Sequence, residues 1–365
     1  MTYERASLRR AAGYTPGKQP RGEGAIKLNT NENPYPPSDA VMRALAAVAG
    51  ESLRKYPPPF ADGFREVAAR AHGLEVEQII ATNGGDELIR LAITTFVDPG
   101  RPIGVLEPSY SLYPVLAEIH GSPLVKADLA GDWSIPEGAA APFRQAGTQL
   151  VFVVNPHAPS GQLTPVSALR KLARSLDCVV VIDEAYVDFV DPALGHDATA
   201  LVRELDNVLL LRTLSKGYSL AGLRFGYGLG HRDLITPMLT KTRDSYNVDA
   251  VAQALATAAL EHRGDARATW ARVRADRDAL RRELEAFGLK SPPSESNFLL
   301  ATVPPFAKGG PSAADLCRTL EERGVLVRHF ALPRLEDKLR ITVGTPDQNA
   351  RLLRELSSLL PPLLP

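Results

Sequence analysis

The amino-acid sequence predicts an α/β protein, with a large domain built on a mostly parallel sheet covered by helices and a smaller C-terminal α/β domain. Four short, continuously apolar runs predict strands of the large sheet: residues 103–106, 150–154, 178–182 and 208–211. Strands that are apolar on both faces are typical of a parallel sheet buried between layers of helices. Helical patterns between the runs, such as 86–96 and 167–175, supply those layers.

Length and charge limit the classes of function. A chain of 365 residues is longer than one hydrophobic core normally grows, which favours two domains. Its 42 basic and 42 acidic residues cancel, so no net field attracts nucleic acid or anionic lipid. No apolar run approaches the roughly 18 residues that cross a bilayer. We therefore expect neither nucleic acid nor a membrane as a partner.

Cysteine content and the N-terminus favour a cytoplasmic location. Cys178 and Cys317 are too few for a disulfide framework, which favours a reducing compartment. The first 24 residues lack the apolar core and cleavage site of a signal peptide, so we expect a soluble, unexported protein. The seven histidines lack metal-ligand spacing, so no metal site is expected.

Changes of residue pattern predict three segments. Residues 1–37 are polar, rich in Gly and Pro and without periodicity, which predicts an N-terminal arm. Residues 38–265 form the predicted large domain, and residues 266–365 the small one. The small domain is expected to begin with a long helix that is followed by strands near 297–303, 325–329 and 339–343 and by helices near 312–323 and 347–359.

Polar side chains follow the apolar runs at the points where the strands should end. They are Tyr110, Asn155, Asp183, Tyr186, Thr213, Ser215 and Lys216. Because the carboxyl ends of parallel strands meet at one edge of a sheet, these side chains should share a crevice.

A lysine and an aspartate at neighbouring strand ends suit pyridoxal 5′-phosphate. The amine of Lys216 can hold the cofactor aldehyde as a Schiff base, and Asp183 can keep the pyridine nitrogen protonated. Neither of two glycine-containing segments predicts a nucleotide site. The segment GYTPGKQ at 13–19 is one residue shorter than a P-loop motif, and GLRFGYGLG at 222–230 does not match the GxGxxG motif.

The sequence resembles the fold-type I aminotransferases that use pyridoxal 5′-phosphate. The resemblance is carried by SKGYSLAGLRFGY at 215–227, DEAY at 183–186 and NPHAPSG at 155–161. Other segments are similar to the histidinol-phosphate aminotransferase branch: NENPYPPS at 31–38, KYP at 55–57, NGGDE at 83–87, PSYSLYP at 108–114, RTLSK at 212–216 and LRITVGT at 339–345. The set covers nearly the whole chain in the expected order.

The resemblance implies roles around the cofactor ring. Lys216 is implied to bind the cofactor and to move the proton between substrate Cα and cofactor C4′. Asp183 is implied to pair with the pyridinium. Tyr186 and Asn155 are implied to hydrogen-bond the ring oxygen, and Tyr110 to stack on the ring. Ordinary core packing is the competing interpretation of Tyr110.

The cofactor phosphate needs amide donors, hydroxyls and a cation. Gly85 and Asp86 open the predicted helix 86–96, so their backbone N–H groups can bind it. Thr213 and Ser215 offer hydroxyls, and Arg224 offers a guanidinium suited to phosphate oxygens.

The resemblance also implies residues that bind the substrate. The arginines that match Arg328 and Arg340 bind the substrate phosphate in the histidinol-phosphate branch, and Asn33 is assigned to the substrate. Tyr56 is implied to reach the cofactor phosphate of a neighbouring subunit and Tyr14 its substrate, so a homodimer with composite sites is expected. An interdomain salt bridge of Arg328, and packing of both tyrosines on their own chain, are the competing interpretations.

The implied reaction is the reversible transfer of an amino group from L-glutamate to imidazole-acetol phosphate, giving L-histidinol phosphate and 2-oxoglutarate in histidine biosynthesis. Three alternatives stay open: an aromatic amino-acid aminotransferase, a phospho-amino-acid decarboxylase of the cobalamin pathway, and a pyridoxal-phosphate-binding regulator without catalysis. The loop NPHAPSG in place of the usual NPNNPTG, and PPP after Tyr56, leave the substrate preference open.

Overall fold

A computed structural model describes residues 3–9, 11–20, 24–306 and 310–361. Its strands are β1 (Ile26–Lys27), β2 (Ile79–Thr82), β3 (Ile103–Glu107), β4 (Leu124–Asp128), β5 (Leu150–Val154), β6 (Val179–Asp183), β7 (Val208–Thr213), β8 (Gly226–Gly230), β9 (Phe298–Thr302), β10 (Val325–Leu326), β11 (Arg328–His329) and β12 (Lys338–Thr342).

The α-helices are α1 (Asp39–Ala46), α2 (Gly50–Leu53), α3 (Asp62–His72), α4 (Gly84–Phe96), α5 (Leu112–His120), α6 (Ala141–Ala146), α7 (Val166–Arg174), α8 (Thr199–Glu204), α9 (Arg232–Pro237), α10 (Ala250–Glu261), α11 (Arg263–Ala286), α12 (Ala313–Glu322) and α13 (Pro346–Leu359). Across the residues that the structure describes, none of these helices combines the length and apolar character needed to cross a membrane.

The largest sheet has seven strands in the order β2-β8-β7-β6-β5-β3-β4. Strand β8 runs antiparallel to both of its neighbours, and the other pairs are parallel. The four predicted apolar runs correspond to β3, β5, β6 and β7, so the predicted mostly parallel sheet is confirmed. Asp183 at the end of β6 is in register with Val154 on one side and Leu211 on the other.

The continuous apolar character of these strands arises because both faces of the sheet are buried. In β5, Val151 and Val153 belong to one hydrophobic core. Leu150, Phe152 and Val154 belong to the core on the other face. Because successive side chains point to opposite faces, an alternating apolar and polar pattern would leave a polar layer inside one core.

The C-terminal part contains a three-stranded antiparallel sheet in the order β11-β12-β9. The prediction of one strand over 325–329 is wrong, because β10 and β11 belong to different sheets. Strand β10 pairs in parallel with β1 from the N-terminal segment, whereas β11 pairs with β12. Residues 1–37, predicted as an arm without periodicity, therefore contribute the short strand β1. The domain boundaries after residues 37 and 265 stay a prediction.

A buried ion pair joins β6 and β7 close to their carboxyl ends. Nε and Nη2 of Arg212 lie 2.8 and 2.6 Å from Oε2 of Glu184. The other carboxylate oxygen of Glu184 lies 3.0 Å from Nε2 of His196. Glu184 is 1% exposed and Arg212 7% exposed. Since Glu184 directly follows Asp183, this pair fixes the strand end that carries the aspartate.

We expect Glu184→Gln to lower the free energy of unfolding by about 3–5 kcal/mol, because Arg212 would keep a buried charge without its counter-ion. Urea denaturation followed by circular dichroism measures the change. The matched control is Glu204→Gln, which removes the carboxylate that Arg170 contacts at 2.7 Å on the surface. The urea midpoint of the control should shift much less, since solvent screens that pair. Equal shifts in the two variants would contradict a structural role for the buried pair.

Candidate active site

A cavity of about 240 Å³ lies at the carboxyl ends of the parallel strands. Its lining includes these residues that the sequence singled out: Tyr14, Gly85, Asp86, Tyr110, Asp183, Tyr186, Thr213, Ser215, Lys216, Arg224, Arg328 and Arg340. The structure thus brings residues from the N-terminal segment, the large sheet and the C-terminal sheet around one space.

Lys216 lies in the turn that follows β7 and carries a buried amine. Its Nζ donates a hydrogen bond of 3.0 Å to the backbone carbonyl of Thr30. Burial, together with the nearby charges of Arg340 and Arg224, lowers the pKa of Lys216 to about 8. A neutral amine is the form that attacks an aldehyde, so this environment makes Lys216 more reactive than a surface lysine.

Asp183 ends β6 and is held by two donors. Its Oδ2 accepts a hydrogen bond of 2.8 Å from the hydroxyl of Tyr113, and its Oδ1 accepts one of 3.0 Å from the backbone N–H of Ala185. Burial raises the pKa of Asp183 to about 6, and both hydrogen bonds oppose that rise. A protonated ring nitrogen beside this carboxylate would favour its ionised form.

Tyr186 receives a hydrogen bond that the sequence did not predict. Nδ2 of Asn31 donates to the Tyr186 hydroxyl at 2.9 Å. Asn31 is 1% exposed, and its backbone N–H lies 3.0 Å from Oγ1 of Thr342. Asn33, the asparagine that the sequence predicts to bind the substrate, instead has an Nδ2 that donates to the backbone carbonyls of Lys216 and Gly217 at 3.2 Å each. Asn33 therefore supports the lysine turn from outside the cavity lining.

The start of α4 forms a cradle whose shape depends on glycine. Gly84 has φ of +77°, and a Cβ there would lie 2.7 Å from Nη2 of Arg224. A Cβ on Gly226 would lie 2.6 Å from the backbone carbon of Gly84. Amide donors of a helix N-terminus, a guanidinium and nearby hydroxyls are the donor set that binds a phosphate group, so these residues fit the phosphate of pyridoxal 5′-phosphate.

The hydroxyls beside that cradle come from the end of β7. Oγ1 of Thr213 and Oγ of Ser215 lie 3.0 Å apart, and Thr213 also bonds the backbone carbonyl of Phe225. Tyr110 lines the same cavity, with its ring edge-on to those of Tyr14 and Tyr113. Burial raises the pKa of Tyr110, so its hydroxyl stays protonated. Tyr110 thus both packs against neighbouring rings and lines the cavity, and its stacking on the cofactor ring stays a prediction.

Two arginines meet on the C-terminal side of the cavity. Arg328 on β11 and Arg340 on β12 are register partners. Their guanidinium carbons lie 5.5 and 5.4 Å from the ring centroid of Phe330. Nη2 of Arg340 donates to the backbone carbonyl of Asn29 at 3.0 Å, and its buried Nε has no hydrogen-bond partner in the described structure. Among the described residues Arg328 forms no ion pair, so nothing there supports the salt-bridge interpretation.

Besides Asn33, two more predicted site residues lie outside the cavity lining. Asn155 is buried, and its amide binds the backbone of Thr164, accepting at 2.7 Å and donating at 3.2 Å. Tyr56 is 80% exposed and stacks on Tyr246 with ring centroids 4.5 Å apart. Within this chain neither side chain lines the cavity, and the roles predicted for both stay predictions.

The sequence analysis missed the residues that support the reactive groups. Tyr113, Thr30 and Asn31 each contact a predicted site residue. Tyr113 and Asn31 lie in motifs that were already identified, PSYSLYP and NENPYPPS, but those motifs do not say which tyrosine or asparagine reaches the site. Thr30 acts through its backbone carbonyl. Every residue has such a carbonyl, so the residue type at this position could not predict the contact.

Comparison with known proteins agrees with this geometry. The family described as aminotransferase class I and II matches residues 23–356. Histidinol-phosphate aminotransferase 1 of Trichormus variabilis is 42% identical and is aligned over 98% of this chain and 99% of its own length. Histidinol-phosphate aminotransferase of Synechocystis is 40% identical, with 98% and 99% covered.

A solved structure provides a comparison that includes the cofactor. Histidinol-phosphate aminotransferase from Sinorhizobium meliloti, in complex with pyridoxal 5′-phosphate, superposes with a TM-score of 0.82 at 25% identity, covering 91% of this chain and 90% of that one. Both the family match and the relatives span nearly the whole chain. The chain therefore belongs to the class I and II aminotransferases, a family of transaminases that depend on pyridoxal 5′-phosphate.

Proposed function

We propose that this chain transfers the amino group of L-glutamate to imidazole-acetol phosphate, giving L-histidinol phosphate and 2-oxoglutarate in histidine biosynthesis. The observation that carries the proposal is the pair Arg328 and Arg340, which line the cavity on strands separate from the α4 cradle. The site thus offers one set of donors for the cofactor phosphate and a second set for a substrate anion. The names of the full-length relatives support the same substrate.

Different residues around the cavity are proposed to bind the cofactor, to hold its ring and to move a proton. When bound, pyridoxal 5′-phosphate supplies a ring that accepts electrons from the substrate carbon. Lys216 would hold the cofactor aldehyde, and once the substrate amine has displaced it, the free Nζ would take and return the proton of the substrate carbon. Asp183 holds a proton on the ring nitrogen, and the Tyr186 hydroxyl orients the ring oxygen. Gly85, Asp86, Thr213, Ser215 and Arg224 bind the cofactor phosphate.

An aromatic amino-acid aminotransferase is the second candidate. Phe330, Leu332 and Leu335 line the cavity beside the two arginines and suit an aromatic side chain, while the arginines could accept a carboxylate. The decarboxylase alternative has no such observation in its favour. A regulator without catalysis is not supported, since full-length relatives are transaminases and Lys216 and Asp183 are in place.

We infer that the working unit is a homodimer in which Tyr56 reaches the partner's site. Large apolar side chains are exposed close together in the sequence: Met42, Leu45, Leu53 and Tyr56. Contiguous exposed apolar side chains commonly mark a surface that binds another protein. A second copy covering this face would bury Tyr56. Tyr14 lines the cavity of its own chain, 6.2 Å from the Tyr110 ring, so its expected reach to the partner's substrate has no support within this chain. The cytoplasmic location stays a prediction from the cysteine content.

Substrate choice is tested by steady-state kinetics with histidinol phosphate, phenylalanine, tyrosine and aspartate as donors to 2-oxoglutarate. We expect the highest kcat/KM with histidinol phosphate. Arg328→Gln should lower that value by about 10- to 100-fold, the worth of a hydrogen bond to a charged group. The loss with histidinol, which lacks the phosphate, should be much smaller. Arg323→Gln, which removes a surface arginine bound to Glu355, is the control. Equal losses with both substrates would exclude a phosphate contact.

The reactivity of Lys216 should depend on pH with an inflection near 8. Below this pH the amine is protonated and cannot attack the cofactor aldehyde, so cofactor capture by the cofactor-free protein should accelerate as pH rises through 8. Arg340→Gln removes a cation that destabilises the ammonium form, and the inflection should move upward. Stopped-flow absorbance after mixing with pyridoxal 5′-phosphate gives the rates. A wild-type inflection near 10.5, the ordinary lysine value, would refute the activated amine.

The composite site is tested by mixing two inactive variants. A strongly impaired Tyr56→Ala chain, refolded together with Lys216→Ala, should form hybrid dimers in which one site has both intact groups. Activity should therefore reappear, and it should depend on the mixing ratio. If Tyr56 acts within its own chain, Lys216→Ala subunits add no function and activity stays absent. That result, or a monomer at working concentration, would exclude the arrangement.

A further inference from the structure

The segment that follows β11 shapes the substrate side of the cavity. Phe330, Leu332 and Leu335 line the cavity next to Arg328 of β11, although they lie in a short stretch with little regular structure. A segment of this kind has few backbone hydrogen bonds of its own, so other contacts must determine where its side chains lie.

Phe330 is the common neighbour of the two arginines that are proposed to bind the substrate anion. Both guanidinium groups lie within 5.5 Å of its ring centroid. Arginine over an aromatic ring is attracted by the ring quadrupole, and this attraction restricts where the guanidinium can lie. The position of the Phe330 ring therefore influences the position of both cations.

Phe330 in turn packs against a small hydrophobic cluster that joins two parts of the chain. Trp133, Leu300 and Leu335 form the cluster. Leu300 and Leu335 belong to the C-terminal part, whereas Trp133 comes from the loop after β4 of the large sheet and is 8% exposed. Trp133 is thus the side chain through which the large sheet supports the substrate-side segment.

Arg334 fastens this segment to the same loop. Its Nη1 and Nη2 donate to the backbone carbonyls of Leu129 and Ala130 at 2.7 and 2.6 Å. Its guanidinium carbon lies 4.7 Å from the Trp133 ring centroid. Trp133 and Arg334 have φ of 70° and 71°, a left-handed conformation that side-chain-bearing residues adopt only when their surroundings impose it.

His157 supports Trp133 from the loop after β5. The two rings are stacked with centroids 5.8 Å apart. Nδ1 of His157 lies 2.7 Å from Oγ of Ser160, and Nε2 lies 2.8 Å from the carbonyl of Pro108. Burial lowers the pKa of His157 to about 4, so the ring is neutral, donates from Nε2 and accepts at Nδ1. The histidine that departs from the usual asparagine of this loop thus has a packing role.

We propose that Trp133 and Arg334 are positioning residues for the substrate anion: they hold Phe330, and through it Arg328 and Arg340, in place for binding. The proposal rests on the proposed role of these two arginines. It assigns to a tryptophan and an arginine outside the recognisable motifs a part in substrate affinity, separate from the α4 cradle that is proposed to bind the cofactor phosphate.

The test compares Trp133→Ala, Trp133→Phe, Arg334→Gln and Arg334→Lys in the cofactor-loaded enzyme. Trp133→Ala and Arg334→Gln should raise the KM for histidinol phosphate by about 10-fold or more while kcat changes less than about twofold. The inhibition constant of inorganic phosphate should rise in parallel. Trp133→Phe keeps an aromatic ring and should recover most of the affinity. Arg334→Lys loses the fork that bonds two carbonyls and should recover little.

Arg272→Gln is the matched control, because Arg272 also lies over an aromatic ring, that of Tyr35 at 5.5 Å, but contacts no part of the cavity. Its KM should equal the wild-type value. A packing role alone predicts lower thermal stability with unchanged KM and phosphate inhibition, and that result would overturn the proposal. A parallel loss of cofactor absorbance and kcat in either variant would also overturn it.

Failure of the proposed function gives a different pattern. If the wild-type enzyme does not use histidinol phosphate and phosphate does not inhibit it, the assigned substrate is wrong. The same variants are then assayed with the carboxylate donor that the enzyme accepts. A raised KM for that donor with unchanged kcat supports positioning by Trp133 and Arg334, and an unchanged KM overturns it. Should Trp133→Ala fail to fold, Arg334→Gln and Trp133→Phe provide the same comparison.

Discussion

The site depends on keeping a lysine amine buried beside two arginines. The charges of Arg340 and Arg224 and the loss of water all disfavour the ammonium form of Lys216. Such an arrangement is costly, because like charges in a shielded space repel and buried cations lose hydration. The carboxylates of Glu32 and Asp86 offset part of this cost, and a ligand that supplies negative charge would offset more of it. The proposed occupants, a cofactor phosphate at Arg224 and a substrate anion at Arg340, are both anionic.

The N-terminal segment connects this site to both sheets. Strand β1 pairs with β10, and the backbone of Leu28 accepts a hydrogen bond of 3.0 Å from Thr342 of β12. The residues that follow bring the Thr30 carbonyl to Lys216 and the Asn31 amide to Tyr186. A segment with no periodicity of its own is thus fixed by tertiary contacts, and it reaches the reactive groups of the large sheet while bound to the small one. Displacing the small sheet would therefore disturb the hydrogen bonds of the lysine and the tyrosine.

The sequence predicts those features that depend on residues close together in the chain, and it misses those that depend on contacts between distant residues. Buried parallel strands leave a local signal, so β3, β5, β6 and β7 were predicted, and the polar residues after them do converge. Strand β1 has two residues and pairs with a strand some 300 positions away, so no local pattern reports it. No local pattern shows that Asn31 and not Asn33 bonds Tyr186. The position of Asn31 depends on its left-handed backbone and on a hydrogen bond to Thr342, which is distant in the chain. The sequence does not indicate a role for Trp133 either. A lone tryptophan in a loop gives the same sequence pattern whether it supports a binding site or only fills a hydrophobic core.

The residues proposed to bind the cofactor phosphate and those proposed to bind the substrate anion are held in place by different kinds of contact. Substrate preference can therefore change without a change in cofactor binding. The α4 cradle, proposed to bind the cofactor phosphate, is formed by backbone at the start of α4, by glycines that admit no side chain, and by hydroxyls at a strand end. Few substitutions are compatible with it, because even a methyl group on Gly226 would meet backbone. The substrate side consists of side chains on two short strands and a turn, held by aromatic and cation contacts through Phe330 and Trp133. Those side chains can be substituted one at a time without disturbing the sheet. A fold of this kind can therefore keep one cofactor chemistry while the anion that it binds changes. The loop NPHAPSG contacts the substrate side through the stacking of His157 on Trp133, so substitutions in this loop can adjust to such a change.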